Sequence, residues 1–317
     1  VRSLLTDHPY FYMDPQWELV WGLLTGASVY AVGKMSTTRF WDRVRRHDIE
    51  WAWFPNPILK HPRRPDDADN PIRLFAAGAI SAGAIAEAEA RFSAPVRSAY
   101  GMTEIGAGTW VPVDVPDDEI LETVGLPAPF RELRIVDERG DDVPDGETGE
   151  LVVRGDSIFL GYYKKPDANA ESFYGDWFRT GDMFVRAENG YYKIIGRYKD
   201  MIRRSAENIS AMEVEHVVRE IGEVADAAAV PVPDDYRGEE VKIYVKLKDG
   251  YSLDDCDPQR IVAHCRERLA PFKVPRYVAY LDDVPYTPSN KVAKHVIVAD
   301  INDLRMGAWD EQDKVWL

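Results

Sequence analysis

The chain has 317 residues, 45% hydrophobic and 29% charged, which gives enough apolar mass for a sizeable core and a length of about two domains. A net charge of −15, spread over both halves, argues against nucleic acid and anionic membranes as partners. Two cysteines, Cys256 and Cys265, exclude a disulfide framework or a thiolate metal cluster, and no apolar run approaches the ~20 residues of a membrane span.

The start, Val1-Arg2-Ser3-Leu4-Leu5-Thr6, has no signal-peptide pattern and no initiator Met, so further sequence is expected upstream and a cytoplasmic setting is inferred. Trp17, Val20, Trp21 and Leu24 fall at helical spacing, and 27–32 reads as a buried strand. Residues 38–47 look helical, 51–54 forms a strand stopped by Pro55, and 72–77 forms another ending at Gly78. An Ala-rich helix runs from Ser81 to about Phe92, before a strand-like 94–98. Strands alternating with helices predict a parallel sheet with ligands at its carboxyl end. From about 124 to 196 the pattern changes to short strands (132–136, 150–154, 183–186, 191–195) between Gly, Pro and Asp turns. After Lys199 an α+β unit is expected, with helices near 211–221 and 258–269 and strands near 224–230, 240–247 and 277–281.

Three segments carry chemistry. Tyr100-Gly101-Met102-Thr103-Glu104 offers a glycine for close backbone approach, a hydroxyl for a phosphate oxygen and a carboxylate for Mg²⁺. Gly149–Gly155 continues to Gly161-Tyr162-Tyr163 and Pro166. A third segment begins at Trp177-Phe178-Arg179-Thr180-Gly181-Asp182 and runs to Gly196-Arg197-Tyr198-Lys199-Asp200-Met201-Ile202. Alone, the first reads as a turn with a capping Thr and a solvated Glu, and Asp182 reads as a turn aspartate; the fixed order of the three is what makes them specific.

That order resembles the adenylate-forming (AMP-binding) superfamily of acyl-CoA synthetases, luciferases and peptide-synthetase adenylation domains, from the Pro9–Tyr12 region to Lys291. Met201–Ser210 is most similar to the crotonobetaine/carnitine-type CoA ligases. The resemblance implies an α/β and α+β fold. Residues 1–198 would be part of the large domain (1–123 a parallel α/β subdomain, 124–198 a small β-barrel), and 199–317 a mobile lid. It implies an ATP-dependent, AMP-forming carboxylate–CoA ligase with ATP/AMP, Mg²⁺ and CoA as cofactor and cosubstrates and a small carboxylic acid as partner. Gly78, Ala79, Tyr100, Gly101, Met102, Thr103, Asp182, Ile194 and Arg197 would bind nucleotide. Glu104 would hold the metal, Lys291 would be catalytic with Thr103 and Glu104, and Lys199 would be the hinge. Tyr12, Trp17, Phe54, Pro55, Ala77 and Ile105 would line the acyl pocket, with plain core packing as the other reading of the aromatics. Ser205, Ala206 and Glu207 would border the CoA path.

The family's phosphate loop has no counterpart. Ser36-Thr37-Thr38-Arg39 lacks glycine and cannot wrap phosphates with backbone amides, so an N-terminal subdomain is expected to be needed for activity. Ala206 and Asn290 stand where glycines are usual, and Tyr12 where a histidine is usual. A carrier-protein thiol acceptor, a non-catalytic nucleotide-binding role and a homodimer stay open.

Overall fold

A computed structural model describes residues 1–33, 35–78, 80–115, 120, 123–205, 207–286, 292–299 and 301–317. Ala79, Ala206 and Lys291 lie outside the described residues. The chain divides into two compact units, 1–180 with 184–194 and 181–183 with 195–317.

In the first unit, strands β1 (Ser3–Thr6), β2 (Ser28–Ala31), β3 (Trp51–Trp53), β4 (Leu74–Ala77) and β5 (Val96–Met102) form a parallel sheet in the order β2-β1-β3-β4-β5. Strands β6 (Gly106–Trp110) and β7 (Leu126–Pro127) extend it antiparallel. Side chains alternate across a strand, so each face needs its own cover. Leu5, Ala52, Phe75 and Ala77 pack with Phe40, Trp41 and Val44 of helix α2 (Phe40–Arg46) and with Ile85, Ala88 and Phe92 of helix α3 (Ala82–Phe92). Leu4, Trp51 and Ala76 form a separate cluster with Trp17 and Trp21 of helix α1 (Asp14–Thr25). Burial on both faces removes the alternation that would have announced β1, whose four residues are all buried.

Helix α1 carries Pro15 in its first turn and ends at Gly26, left-handed at φ 73°, whose N–H donates to the Gly22 carbonyl. A second sheet holds β8 (Glu132–Val136), β9 (Thr148–Arg154), β10 (Phe173–Tyr174) and β11 (Trp177–Arg186) in the order β10-β11-β9-β8, with β12 (Tyr192–Arg197) beside β11. Helix α4 (Pro166–Ser172) sits between β9 and β10 in sequence.

The second unit contains β13 (Met201–Arg204), β14 (Glu207–Ser210), β15 (Val224–Asp234), β16 (Gly238–Leu247), β17 (Tyr277–Tyr280), β18 (Trp309–Asp310) and β19 (Val315–Trp316) in one sheet. Helices α5 (Ala211–Arg219) and α6 (Pro258–Arg268) share one apolar cluster with it. Ser210 caps α5 by accepting from the Glu213 N–H at 3.2 Å, and its hydroxyl donates to the Ile195 carbonyl. Another cluster joins Tyr244, Tyr277 and Ala279 to helix α7 (Lys294–Val298) and to Ile301 and Leu304. Lys242 lies beneath that tail, and its ammonium donates to the Leu304 and Met306 carbonyls at 2.7 and 3.1 Å. Cys256 and Cys265 are buried and free. Among the described residues no helix is long and apolar enough to cross a membrane.

Candidate active site

The strand order β2-β1-β3-β4-β5 reverses between β1 and β3, and the crevice outside the carboxyl ends of strands at such a reversal is where open α/β sheets bind ligands. Asp7 and His8 leave β1 there, and Phe54 and Pro55 leave β3. Over this end Glu18 of α1 accepts a hydrogen bond from the Trp53 indole N–H at 2.9 Å. The Trp53 ring stands 5.8 Å from His8, which stands 6.4 Å from Tyr12. Glu18 is 0% exposed, and burial pushes its carboxyl up to about 8 against the bond from Trp53. Burial also raises Asp7 and Asp14, with His8 opposing the shift in both. Nothing in the sequence marked Glu18; a glutamate beside tryptophan on a helix reads as a solvated face.

The residues expected to line the acyl pocket divide. Tyr12 and Trp17 belong to the α1 side, where Trp17 stacks on Trp21 at 5.8 Å. Phe54 turns to the opposite face, 5.2 Å from Phe75 and 6.2 Å from Phe92, and Pro55 is buried with it. Ala77 is buried in β4, and Ile105 is 0% exposed beneath the turn after β5. Phe54 and Ala77 belong to one apolar cluster and Ile105 to another.

Strand β5 delivers Tyr100, Gly101 and Met102 to the turn holding Thr103 and Glu104, and the register slips between Tyr100 and Gly101. A Cβ on Gly101 would meet the Gly106 carbonyl oxygen at 2.5 Å, which is why glycine stands there. Thr103 is exposed. The Glu104 Oε1 accepts from the Tyr162 hydroxyl at 2.9 Å, and its carbonyl accepts from the Phe159 N–H at 2.7 Å. Burial, then the bond to Glu104, pushes the Tyr162 phenol up to about 12, so at neutral pH it donates. Asn169 holds Tyr162 by accepting from its N–H at 2.6 Å and donating to its carbonyl at 2.9 Å. The Gly161-Tyr162 segment thus braces the turn after β5. Tyr100 is 8% exposed and edge-on to Phe184 at 4.8 Å; Met102 and Ile194 pack on the same cluster. Gly78 follows β4 in the open, with no atom within 4 Å of where a Cβ would stand.

In the second unit Asp182 is buried and pairs with Arg197, Nε to Oδ1, at 2.7 Å. Lys199 is exposed in the 3₁₀ turn Tyr198–Asp200. Ser205 turns the β13–β14 hairpin at φ 60°, and Glu207 is exposed after it. A nearby cavity of about 460 Å³ is lined by Arg204, Arg266 and Arg276, but carboxylates balance all three. Glu240 pairs with Arg204 at 2.7 Å, Glu311 with Arg266 at 2.9 Å and Asp310 with Arg276 at 3.1 Å.

The pattern of the AMP-binding enzyme family matches residues 2–163, and that of the AMP-binding enzyme C-terminal domain matches residues 213–291. A sulfoacetate–CoA ligase of Cupriavidus necator is 33% identical over 278 residues, covering 86% of this chain and 54% of that protein. An oxalate–CoA ligase of Arabidopsis thaliana is 31% identical over 295 residues, covering 88% and 56%. ATP-bound MatB from Rhodopseudomonas palustris superposes with a TM-score of 0.83 at 26% identity, over 94% of this chain and 60% of that one. The chain spans about half the length of the curated relatives it matches.

Proposed function

The chain belongs to the AMP-binding enzyme family, and from that premise we propose that it acts as an ATP-dependent, AMP-forming carboxylate–CoA ligase. The reading includes, as a requirement for activity, an N-terminal subdomain with the phosphate loop that Ser36–Arg39 does not supply. In the first half-reaction a substrate carboxylate oxygen attacks the α-phosphorus of ATP, and the bond to pyrophosphate breaks. In the second, a thiol attacks the acyl carbon and AMP leaves with the bonding pair. The relatives act on sulfoacetate and oxalate by name, which supports a small carboxylic acid as substrate and CoA as the thiol.

The observation that carries this reading is the Glu104 carboxylate at the carboxyl end of β5, one oxygen of which is fixed by Tyr162. The other oxygen is a hard donor, and the described residues contain no cage of three or more His, Cys, Asp or Glu. A single carboxylate suits Mg²⁺, which takes its remaining ligands from phosphate and water. When bound there, Mg²⁺ would neutralise charge on the phosphates. Thr103 would donate its hydroxyl to a phosphate oxygen, Gly78 would let the base approach the backbone, and Asp182, oriented by Arg197, would accept from the ribose hydroxyls. Lys291 would stabilise the charge passing from carboxylate to α-phosphate, and Lys199 would be the pivot between half-reactions. Cytoplasmic ATP and CoA make that compartment part of the reading, and a homodimer its association state to be weighed.

The test is pyrophosphate exchange into ATP over an acid panel that includes sulfoacetate and oxalate, followed by CoA-dependent AMP release. Lys291→Ala should remove most exchange, and Glu104→Gln should weaken its Mg²⁺ dependence. Exchange with no acid in the panel by an enzyme that binds ATP, or full exchange in Lys291→Ala, overturns the reading.

A further inference from the structure

Arg131 stands just before β8 and reaches back to the turn after β5. Its Nε donates to the Ile105 carbonyl at 2.8 Å, and its Nη1 to the Phe130 carbonyl at 3.2 Å and the Ser157 hydroxyl at 2.8 Å. The backbone presenting it is tightly held. Phe130 is left-handed at φ 63°, and a Cβ on Gly155 would meet the Phe130 carbonyl oxygen at 2.1 Å. Among the described residues Nη2 has no acceptor. It lies 3.0 Å from where a Cβ on Gly106 would stand, and the Met13 Cε lies 3.6 Å from the same point. Gly106 comes three residues after Thr103, and Met13 follows Tyr12 in the segment that leaves β1. The free edge of the guanidinium therefore occupies the seam between that segment and the turn holding Thr103 and Glu104.

In a chain of net charge −15 this cation also lacks a counterion. Arg91 and Arg97 of the same unit pair with Asp67 and Glu89 at 2.7 and 2.9 Å. Among the described residues no carboxylate pairs with Arg131, and burial alone acts on its guanidinium, pulling its pKa down from a value that still leaves it charged. Asp14, the carboxylate next to Met13, is turned to the His8 ring at 3.8 Å and the Trp17 indole at 3.4 Å. A half-buried guanidinium with an open N–H edge is suited to an oxyanion. We propose that Arg131 is a specificity-determining residue whose Nη2 binds a second anionic group, carboxylate or sulfonate, on the carboxylic acid substrate. Three peptide links hold the Thr103 and Gly106 Cα atoms within about 11 Å, which suits a short acid whose two anionic groups stand a few carbons apart. The proposal rests on the ligase reading, in which the acid's other, reacting carboxylate meets the α-phosphate at the Thr103–Glu104 turn.

The enzyme carrying this whole chain is assayed by pyrophosphate exchange with paired acids that differ in the second charge: succinate against succinamate, and sulfoacetate against methylsulfonylacetate. The wild type should favour the dianionic member of at least one pair by about tenfold or more in kcat/KM, the size of one charge-assisted hydrogen bond, and the pair that shows it tells carboxylate from sulfonate. Arg131→Met should bring that ratio close to one by slowing the dianionic acid, with KM for ATP little changed, and Arg131→Lys should keep part of the preference. Met13→Glu sets a carboxylate beside Nη2 while leaving the bonds of Arg131 to Ile105 and Ser157 in place, so it should cancel the preference without disturbing the turn. A wild type indifferent to the second charge in both pairs, a preference that survives Arg131→Met or Met13→Glu, or an equal loss for both members of a pair overturns the proposal alone. An enzyme that binds ATP and exchanges pyrophosphate with no acid overturns the ligase reading, and the proposal with it.

Discussion

Replacing Glu18 by glutamine tests the buried carboxyl at the reversal point of the first sheet. Glu18 is 0% exposed and its carboxyl titrates at about 8 rather than 4.5. The fold therefore binds this proton more tightly than the unfolded chain does. Its contribution is complete below about 4.5, declines as pH rises, and is gone above about 8. Each pH unit in that window costs about 1.4 kcal/mol, so at pH 7 the wild type gives up about 3 kcal/mol relative to pH 4.5. Glutamine keeps a carbonyl oxygen for the Trp53 indole N–H and cannot ionise. Glu18→Gln should match wild type near pH 4.5, exceed it by ~3 kcal/mol at pH 7, and show a shallower pH slope. Urea unfolding at pH 4.5, 6, 7 and 8 provides the measurement. Asp7 and Asp14, also raised by burial, give both proteins a residual slope of the same sign, so the difference between the two curves reports Glu18 together with its repulsion from these two carboxylates. Parallel curves, or a variant less stable at pH 7, would refute a proton held at this site.

Gly125 lies at φ 97°, and a Cβ there would stand 2.1 Å from the Trp110 carbonyl carbon and oxygen. Gly125→Ala should cost at least ~3 kcal/mol, read from the urea midpoint, and an unchanged midpoint would contradict the close approach. Asp182→Asn removes the charge that Arg197 orients at 2.7 Å. It should raise KM for ATP about tenfold in pyrophosphate exchange, and an unchanged KM would contradict a ribose contact.

What the sequence disclosed depended on how much of each signal is local. Strand Glu132–Val136 is found at its expected bounds, and the helix expected from Ser81 begins with Ser81 as its N-cap, whose Oγ accepts from the Ala84 N–H at 3.2 Å. Turn residues and caps specify these elements from within a few positions. Strand Ser3–Thr6 escaped notice because burial on both sides erases alternation. The β13–β14 hairpin, Met201–Ser210, was hidden by its arginines: Glu240, which pairs with the Arg204 guanidinium, and Glu239, which accepts from the Arg203 backbone N–H, both come from distant β16. At the candidate site the Tyr100–Glu104 turn was legible because its glycine and carboxylate are contiguous. Tyr162 contacts Glu104 from 58 positions away and Lys294 contacts Glu215 from 79, so neither bond has a local signature. Phe54 was equally ambiguous, since an aromatic residue at a strand end serves a pocket or a core depending on which face it takes.

The strand order has an evolutionary consequence. The loops after β1 and β3 hang from strands that β4 separates from β5, a lateral offset from β3 to β5 of about 10 Å. Changes in those loops can reshape the crevice while leaving the glycine-tight turn at Gly101–Glu104 untouched. Under the proposed reading, a scaffold built this way can acquire new acids by drift in the loops after β1 and β3 while the turn after β5 stays under separate selection.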